Sequence, residues 1–225
     1  MRTVTVTIIL LFLLSGSLLG QKYFGVSYKY FNPSGDFEQN VDNDMHGIAV
    51  NMLLPLKDRS RWYIGGEIGV AMYANEEYTY QLNSGATIDL AEEDCFWTLH
   101  GEVRYMVYQS PFIKTYLAGR LGITNFFSTI IPIKDNTGFR SRTNSHGTAF
   151  NAGLGAGIIL NPGKLFNGTE GGWNIETGVN FHSGSKTSYR YMPESQQSIV
   201  LDDGKYYSLT NYTELRIALL FQFRH

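Results

Sequence analysis

Nine ionisable side chains sit within runs that are otherwise apolar: Lys29, Glu67, Glu102, Arg104, Lys114, Arg120, Glu176, Glu214 and Arg216. A loose pattern of glutamate, any residue, Gly or Arg, then an apolar residue occurs four times. Its instances are Glu67-Ile68-Gly69-Val70, Glu102-Val103-Arg104-Tyr105, Glu176-Thr177-Gly178-Val179 and Glu214-Leu215-Arg216-Ile217. Carboxylates and guanidiniums gathered in one place can line a gated polar pathway. They can equally neutralise one another where water is scarce, because an isolated charge in low dielectric is very costly.

Other groups offer nucleophilic or metal chemistry. Phe181-His182-Ser183-Gly184-Ser185 brings a histidine near two hydroxyls, the raw material of a lipid hydrolase. In an extended segment His182 points to one side and Ser183 and Ser185 to the other, so the mutual geometry of a triad is denied. His46, His146 and His182 have no ligand spacing, and no metal or cofactor is expected. Cys95 is the single cysteine, so no internal disulfide forms. Asn167-Gly168-Thr169 and Asn211-Tyr212-Thr213 match a glycosylation sequon, a short pattern of little weight by itself. No catalytic residue is assigned.

The elements that must position the nine charged groups are strands. Alternation with period 2 marks eight: Tyr23–Phe31, Met45–Leu54, Trp62–Tyr73, Phe96–Tyr108, Phe112–Thr124, His146–Leu160, Trp173–His182 and Tyr212–Phe223. In the last, Leu215, Ile217, Leu219, Phe221 and Phe223 share one face, while Glu214, Arg216 and Gln222 share the other. Sorted this way, one face of the whole set collects residues such as Val26, Ile48, Ile68, Leu99, Leu121, Leu154 and Ile175, and no Asp, Glu, Lys or Arg. A charge there would cost roughly 2–4 kcal/mol at a bilayer midplane. The other face takes the nine ionisable groups, several Asn, His100, Tyr63, Tyr116 and most strand glycines. Glycine makes room for long side chains to cross a narrow lumen.

Connections and composition agree with this reading. Links after the even strands, Pro55–Arg61, Gln109–Pro111 and Asn161–Gly172, are shorter than Ala74–Cys95, Asn125–Ser145 and Ser183–Asn211. Asn32–Asp44 is intermediate. Alternating short turns and long polar loops characterise outer-membrane barrels. Ala74–Cys95 is acidic and Ser183–Asn211 is rich in tyrosine, so the outer loops are where specificity is expected. Aromatic girdles are expected at the turn side (Trp62, Tyr105, Tyr108, Phe112, Trp173, Phe223). A second girdle is expected at the loop side (Tyr30, Phe31, Tyr73, Phe96, Trp97, Phe126, Phe127, Phe181, Tyr212). Residues 1–20 read as a secretory signal, with Arg2, the apolar run Val4–Leu14 and a small-residue tail, leaving 21–225 as one barrel domain. Losing Arg2 lowers the basic count from 18 to 17 against 20 acidic residues, so no basic excess suggests nucleic acid.

With its signal ending Leu19-Gly20-Gln21, eight alternating strands and Leu215-x-Ile217-x-Leu219-x-Phe221-x-Phe223 at the end, the chain resembles the small outer-membrane β-barrel family of Gram-negative bacteria, of OmpA/OmpX type. The resemblance implies an all-β, eight-stranded antiparallel up-and-down transmembrane barrel in the cell outer membrane. It implies that the terminal strand is the membrane-insertion signal read by the barrel-assembly machinery. It implies contact with outer-membrane lipid and lipopolysaccharide, and a possible envelope protein partner through the outer loops. A non-enzymatic structural or interaction role with an ion-paired lumen leads. A narrow channel or small-amphiphile conduit, a lipid-modifying enzyme, a subunit of an envelope secretion or transport assembly and a secreted lipocalin-like binder are the alternatives.

Overall fold

The computed structural model describes residues 22–41, 45–57, 60–81, 85, 87–133, 141–163, 172–190 and 205–223; the signal reading, the trailing Arg224 and His225, and Asn167 lie outside them. Among these described residues ten strands form: β1 Lys22–Ser34, β2 Met45–Pro55, β3 Trp62–Gln81, β4 Thr87–Gln109, β5 Ile113–Pro132, β6 Arg142–Leu160, β7 Trp173–Gly184, β8 Lys186–Arg190, β9 Lys205–Leu209 and β10 Asn211–Phe223. Eight close into an antiparallel barrel in the order β1–β10–β7–β6–β5–β4–β3–β2, and β8 and β9 make a separate two-stranded sheet. The expected up-and-down barrel is the fold. Closure leaves no sheet edge within the wall, which is what lets strands cross hydrocarbon with every backbone group paired.

Parity decides which way each side chain points. The apolar set faces outward: Leu154, Phe150 and Leu121 are 73%, 72% and 71% exposed, and Ile217, Ile48, Ile68 and Leu99 are also exposed. The charged set faces inward, and Lys29, Glu67, Glu102, Arg104, Arg120, Glu176, Glu214 and Arg216 are all buried. An apolar outside around an ionic inside is the reverse of a soluble barrel and fits a wall solvated by lipid.

Three expectations need correction. The links Ala74–Cys95 and Asn125–Ser145 are not mainly loop: β3 runs on to Gln81, β4 begins at Thr87, β5 reaches Pro132 and β6 begins at Arg142. At 20 and 23 residues, β3 and β4 far exceed the ~9–11 a spanning strand needs. A four-stranded sheet therefore stands above one side of the barrel. Polar composition suggested loops here, but cross-strand pairs such as Thr79 with Asp89 and Thr129 with Thr143 suit a solvated sheet equally well. The third link, Ser183–Asn211, carries the β8–β9 hairpin.

The loop-side girdle also needs revision. Phe31, Tyr73, Phe96, Phe126 and Tyr212 are buried inside the barrel, not displayed to lipid. Phe31, Phe96, Phe126 and Tyr212 share parity with the inward Lys29, His100, Arg120 and Glu214. Tyr73 sits at a register shift between Met72 and Ala74. Tyr30, Trp97, Phe127 and Phe181 remain on the outer wall, and Trp62, Tyr108, Phe112, Trp173 and Phe223 are exposed at the turn end. The outward orientation of β10 predicts that Ile217→Arg destabilises the barrel by roughly 2–4 kcal/mol. Gln81→Arg, on the raised hairpin, should stay within ~0.5 kcal/mol. Urea unfolding in liposomes measures both.

Candidate functional site

The barrel interior is the candidate site, and it is built in three layers. The central layer is ionic. Lys29 Nζ donates to Glu67 and, at 2.9 Å, to Glu214. Arg120 lies 3.0 Å from Glu102, 2.9 Å from Glu214 and 3.6 Å from Glu67. Arg216 pairs with Glu67 at 3.0 Å and with Glu176. Arg104 pairs with Glu102 and with Glu176 at 2.9 Å. Each carboxylate meets at least two cations and each cation at least two carboxylates, four against four. Tyr116 donates to Glu176 at 2.6 Å and Asn180 to Glu214 at 3.0 Å, adding neutral donors to a network with no net charge. Such closure offsets the several kcal/mol of desolvation that each buried ion carries.

The ninth expected member is elsewhere. Lys114 is half-buried at the turn end, with Nζ donating to the Tyr23 hydroxyl at 2.5 Å and lying 5.3 Å from the centre of its ring. It starts two positions before Tyr116, one inward step nearer the turns, so parity alone placed it on the right face at the wrong height.

Below the ions, Tyr23, Leu53, Tyr63, Met106, Tyr116, Ala118, Ile159, Ala218 and Leu220 form an apolar floor. Two small positions make it fit: a Cβ added at Gly157 would come within 2.5 Å of Tyr116 Cζ, and one at Gly178 within 2.7 Å of its hydroxyl. Above the ions, Phe31, Phe37, Tyr73, Phe96, Phe126, Tyr189 and Tyr212 belong to one buried cluster. Phe37 comes from the β1–β2 connection, just before the 3₁₀ turn Glu38–Asn40, and Tyr189 from β8. Their rings meet edge to face at 5.1 Å, and Phe126 contacts Phe37 at 5.9 Å and Tyr189 at 5.6 Å. Two connections thus fold inward to roof the mouth. β8 rests on β6 at Gly147, where an added Cβ would lie 2.6 Å from Ser188 O, and Ser188 Oγ donates to His146 O at 2.7 Å. Neither Phe37 nor Tyr189 lies on an expected strand, so strand parity could not have found this roof.

Histidine and serine chemistry resolves into positions. His182 is in the lumen, stacked on Tyr212 at 4.6 Å and tilted against His100 at 5.2 Å, with Nε2 3.7 Å from Glu214. Ser183 is exposed on the outer wall and Ser185 Oγ accepts from the Phe150 N–H, so neither serine of the hydrolase reading is turned to His182. A different Ser–His contact exists: Ser128 Oγ lies 2.6 Å from His146 Nε2 and also bonds Asp94. His146 is the extra residue of a bulge on β6, which aims its ring inward. The hydroxyl sits between imidazole and carboxylate, not at the end of a relay, and Ser128 is fully buried. His46 faces outward, 2.5 Å from the Tyr28 hydroxyl. Among the described residues no three His, Cys, Asp or Glu gather as a metal set. Cys95 is half-buried on β4 opposite Met72, and Asn211 Oδ1 accepts from the Gly184 N–H.

Two measurements follow from the layering. Glu102→Gln should cost roughly 3–5 kcal/mol by leaving Arg104 and Arg120 under-neutralised, whereas Lys114→Met should cost about 1 kcal/mol or less. Equilibrium unfolding in liposomes separates them. Tyr189→Ala removes three ring contacts, so limited proteolysis should release β8–β9 faster while the eight-stranded wall stays protease-resistant.

No family model and no curated protein sequence matches the chain. Solved structures do match in shape. Neisserial surface protein A aligns with a TM-score of 0.53 at 10% identity, covering 91% of this chain and 99% of that one. Ail, the attachment invasion locus protein of Yersinia pestis, in complex with the heparin analogue sucrose octasulfate, aligns with a TM-score of 0.51 at 13% identity, with 91% and 99% coverage. The chain has the fold of the eight-stranded outer-membrane β-barrels of Gram-negative bacteria.

Proposed function

We propose that this chain is a non-enzymatic integral outer-membrane barrel with a structural or interaction role, its lumen filled and its work done by what it raises above the membrane. The observation that carries this reading is the layered filling of the interior: an apolar floor, a neutral ionic layer and an aromatic roof. An eight-stranded barrel is only wide enough for side chains, and here those side chains are mutually engaged. A filled lumen disfavours conduction, and a fully buried Ser128 disfavours acyl transfer.

The exposed parts support an interaction role. The long ends of β3 to β6 place a solvated sheet beyond the bilayer. In this reading outer-membrane lipid and lipopolysaccharide contact the apolar wall, and the barrel-assembly machinery reads Leu215, Ile217, Leu219, Phe221 and Phe223 as the insertion signal. All five lie on the lipid side of the terminal strand, where a membrane-embedded assembly factor meets them.

Planar-bilayer recording tests the filled lumen. The purified barrel should show no steady conductance, and Glu102→Gln should remain silent because floor and roof are untouched. Steady conductance that changes on Glu102→Gln would establish the channel reading instead.

A further inference from the structure

We propose that His46, Met72 and Cys95 form a binding site for one cuprous ion on the outer wall of the barrel. The site goes beyond the interaction role and uses nothing in the lumen. β2 and β3 pair His46 with Met72, and β3 and β4 pair Met72 with Cys95, so the three form one row across adjacent strands. They share parity with the outward Ile48, Val70 and Trp97 and project to the same side. Directly opposed residues have Cβ atoms roughly 4.5–5.5 Å apart, within reach of a flexible thioether set between its two neighbours. All three line one groove of about 310 Å³, together with Tyr28, Ile48 and Val70. That is roughly ten times the volume of a water molecule, so an ion enters and the sulfurs have room to converge on it. β2 has 11 residues, about the length of one crossing, and the exposed His46 is its second. The row therefore sits at the loop end of the spanning wall, where an ion can arrive from water.

The donor set selects the ion. Thiol and thioether are soft ligands that favour cuprous copper, and imidazole suits copper as well. Met72 supplies the third ligand that histidines and acids do not provide in this part of the wall. His46 Nδ1 lies 2.5 Å from the Tyr28 hydroxyl, which orients the ring and leaves Nε2 as its other ligating atom. With a single cysteine in the chain, no internal disulfide competes for the sulfur. Binding exchanges one cation for another: the Cys95 thiol and Cu⁺ give a copper–thiolate bond and a released proton, with no change of oxidation state. Thiolate and Cu⁺ cancel, and His46 and Met72 join as neutral ligands, so the loaded site has no net charge. Zinc on the same ligands would leave a positive charge on a face that hydrocarbon keeps free of charge.

The test titrates the whole barrel in nanodiscs with Cu(I), under ascorbate and against a chromogenic chelator. One ion should bind, and X-ray absorption should show two sulfurs and one nitrogen around it. Cys95→Ser should abolish competition with the chelator. Met72→Leu, a swap of similar volume on an exposed wall, should weaken binding roughly tenfold and lower the sulfur count to one. Tyr28→Phe should weaken it roughly tenfold by freeing the imidazole, without altering the ligand count. Equal affinity in Met72→Leu and His46→Asn would reveal a bare thiol and overturn the site, as would failure of the unaltered barrel to compete. Zn(II) held as tightly as Cu(I) would overturn the choice of a soft monovalent ion. Conductance in planar bilayers is independent of all these outcomes, so the filled-lumen reading stands or falls separately.

Discussion

Neutralisation inside a narrow cylinder is the constraint on which the rest depends. Four carboxylates and four cations occupy a space that side chains fill, so each must find its counter-charge within the ring. They come from β1, β3, β4, β5, β7 and β10, six of the eight wall strands. Sliding any of these strands by two residues would keep the inward parity but pull its ions out of plane. The network therefore specifies register in a way that hydrophobic alternation alone does not. β2 and β6 contribute no ion. They contribute Asn51, Asn151 and closely approached glycines such as Gly157, the space the long side chains need.

Two apolar environments coexist on different sides of one sheet. The outside is apolar across the part of the wall that all eight strands share because lipid is its solvent there. The inside is apolar only at its ends, where floor and roof keep water from the ions. Low dielectric strengthens the ion pairs and also raises the penalty for any unmatched one. Roof and ions are thus interdependent: aromatic closure without paired charges would bury lone ions, and paired charges without closure would be weakened by water.

Much of this was legible from residue order. Alternation located all eight wall strands and the direction of their side chains, because one period-2 rule governs every strand and a charge on the wrong face is expensive. It sorted Glu67 and Arg216 onto one face although they are far apart in sequence. Height was harder. Lys114 shares a face with Arg120 but sits nearer the turn end of the same strand, and parity reports the face without the level. The roof was least legible. Phe37 and Tyr189 lie on connections, and register shifts at Tyr73 and His146 reset parity where the strands leave the bilayer. Polar strand extensions read as loops because their composition is set by solvent on both sides.

An ideal cylinder looks alike from every direction in the plane of the membrane. Here β1, β2, β7 and β10 have 11 to 13 residues while β3 to β6 have 19 to 23. The molecule consequently has a tall flank and a low flank, like a chair with one back. Among crowded neighbours diffusing laterally, an encounter on the tall side meets the long strands β3 to β6, and one on the low side meets, among the described residues, the short strands β1, β2, β7 and β10. Orientation within the plane, and not only height above it, becomes part of what this protein presents.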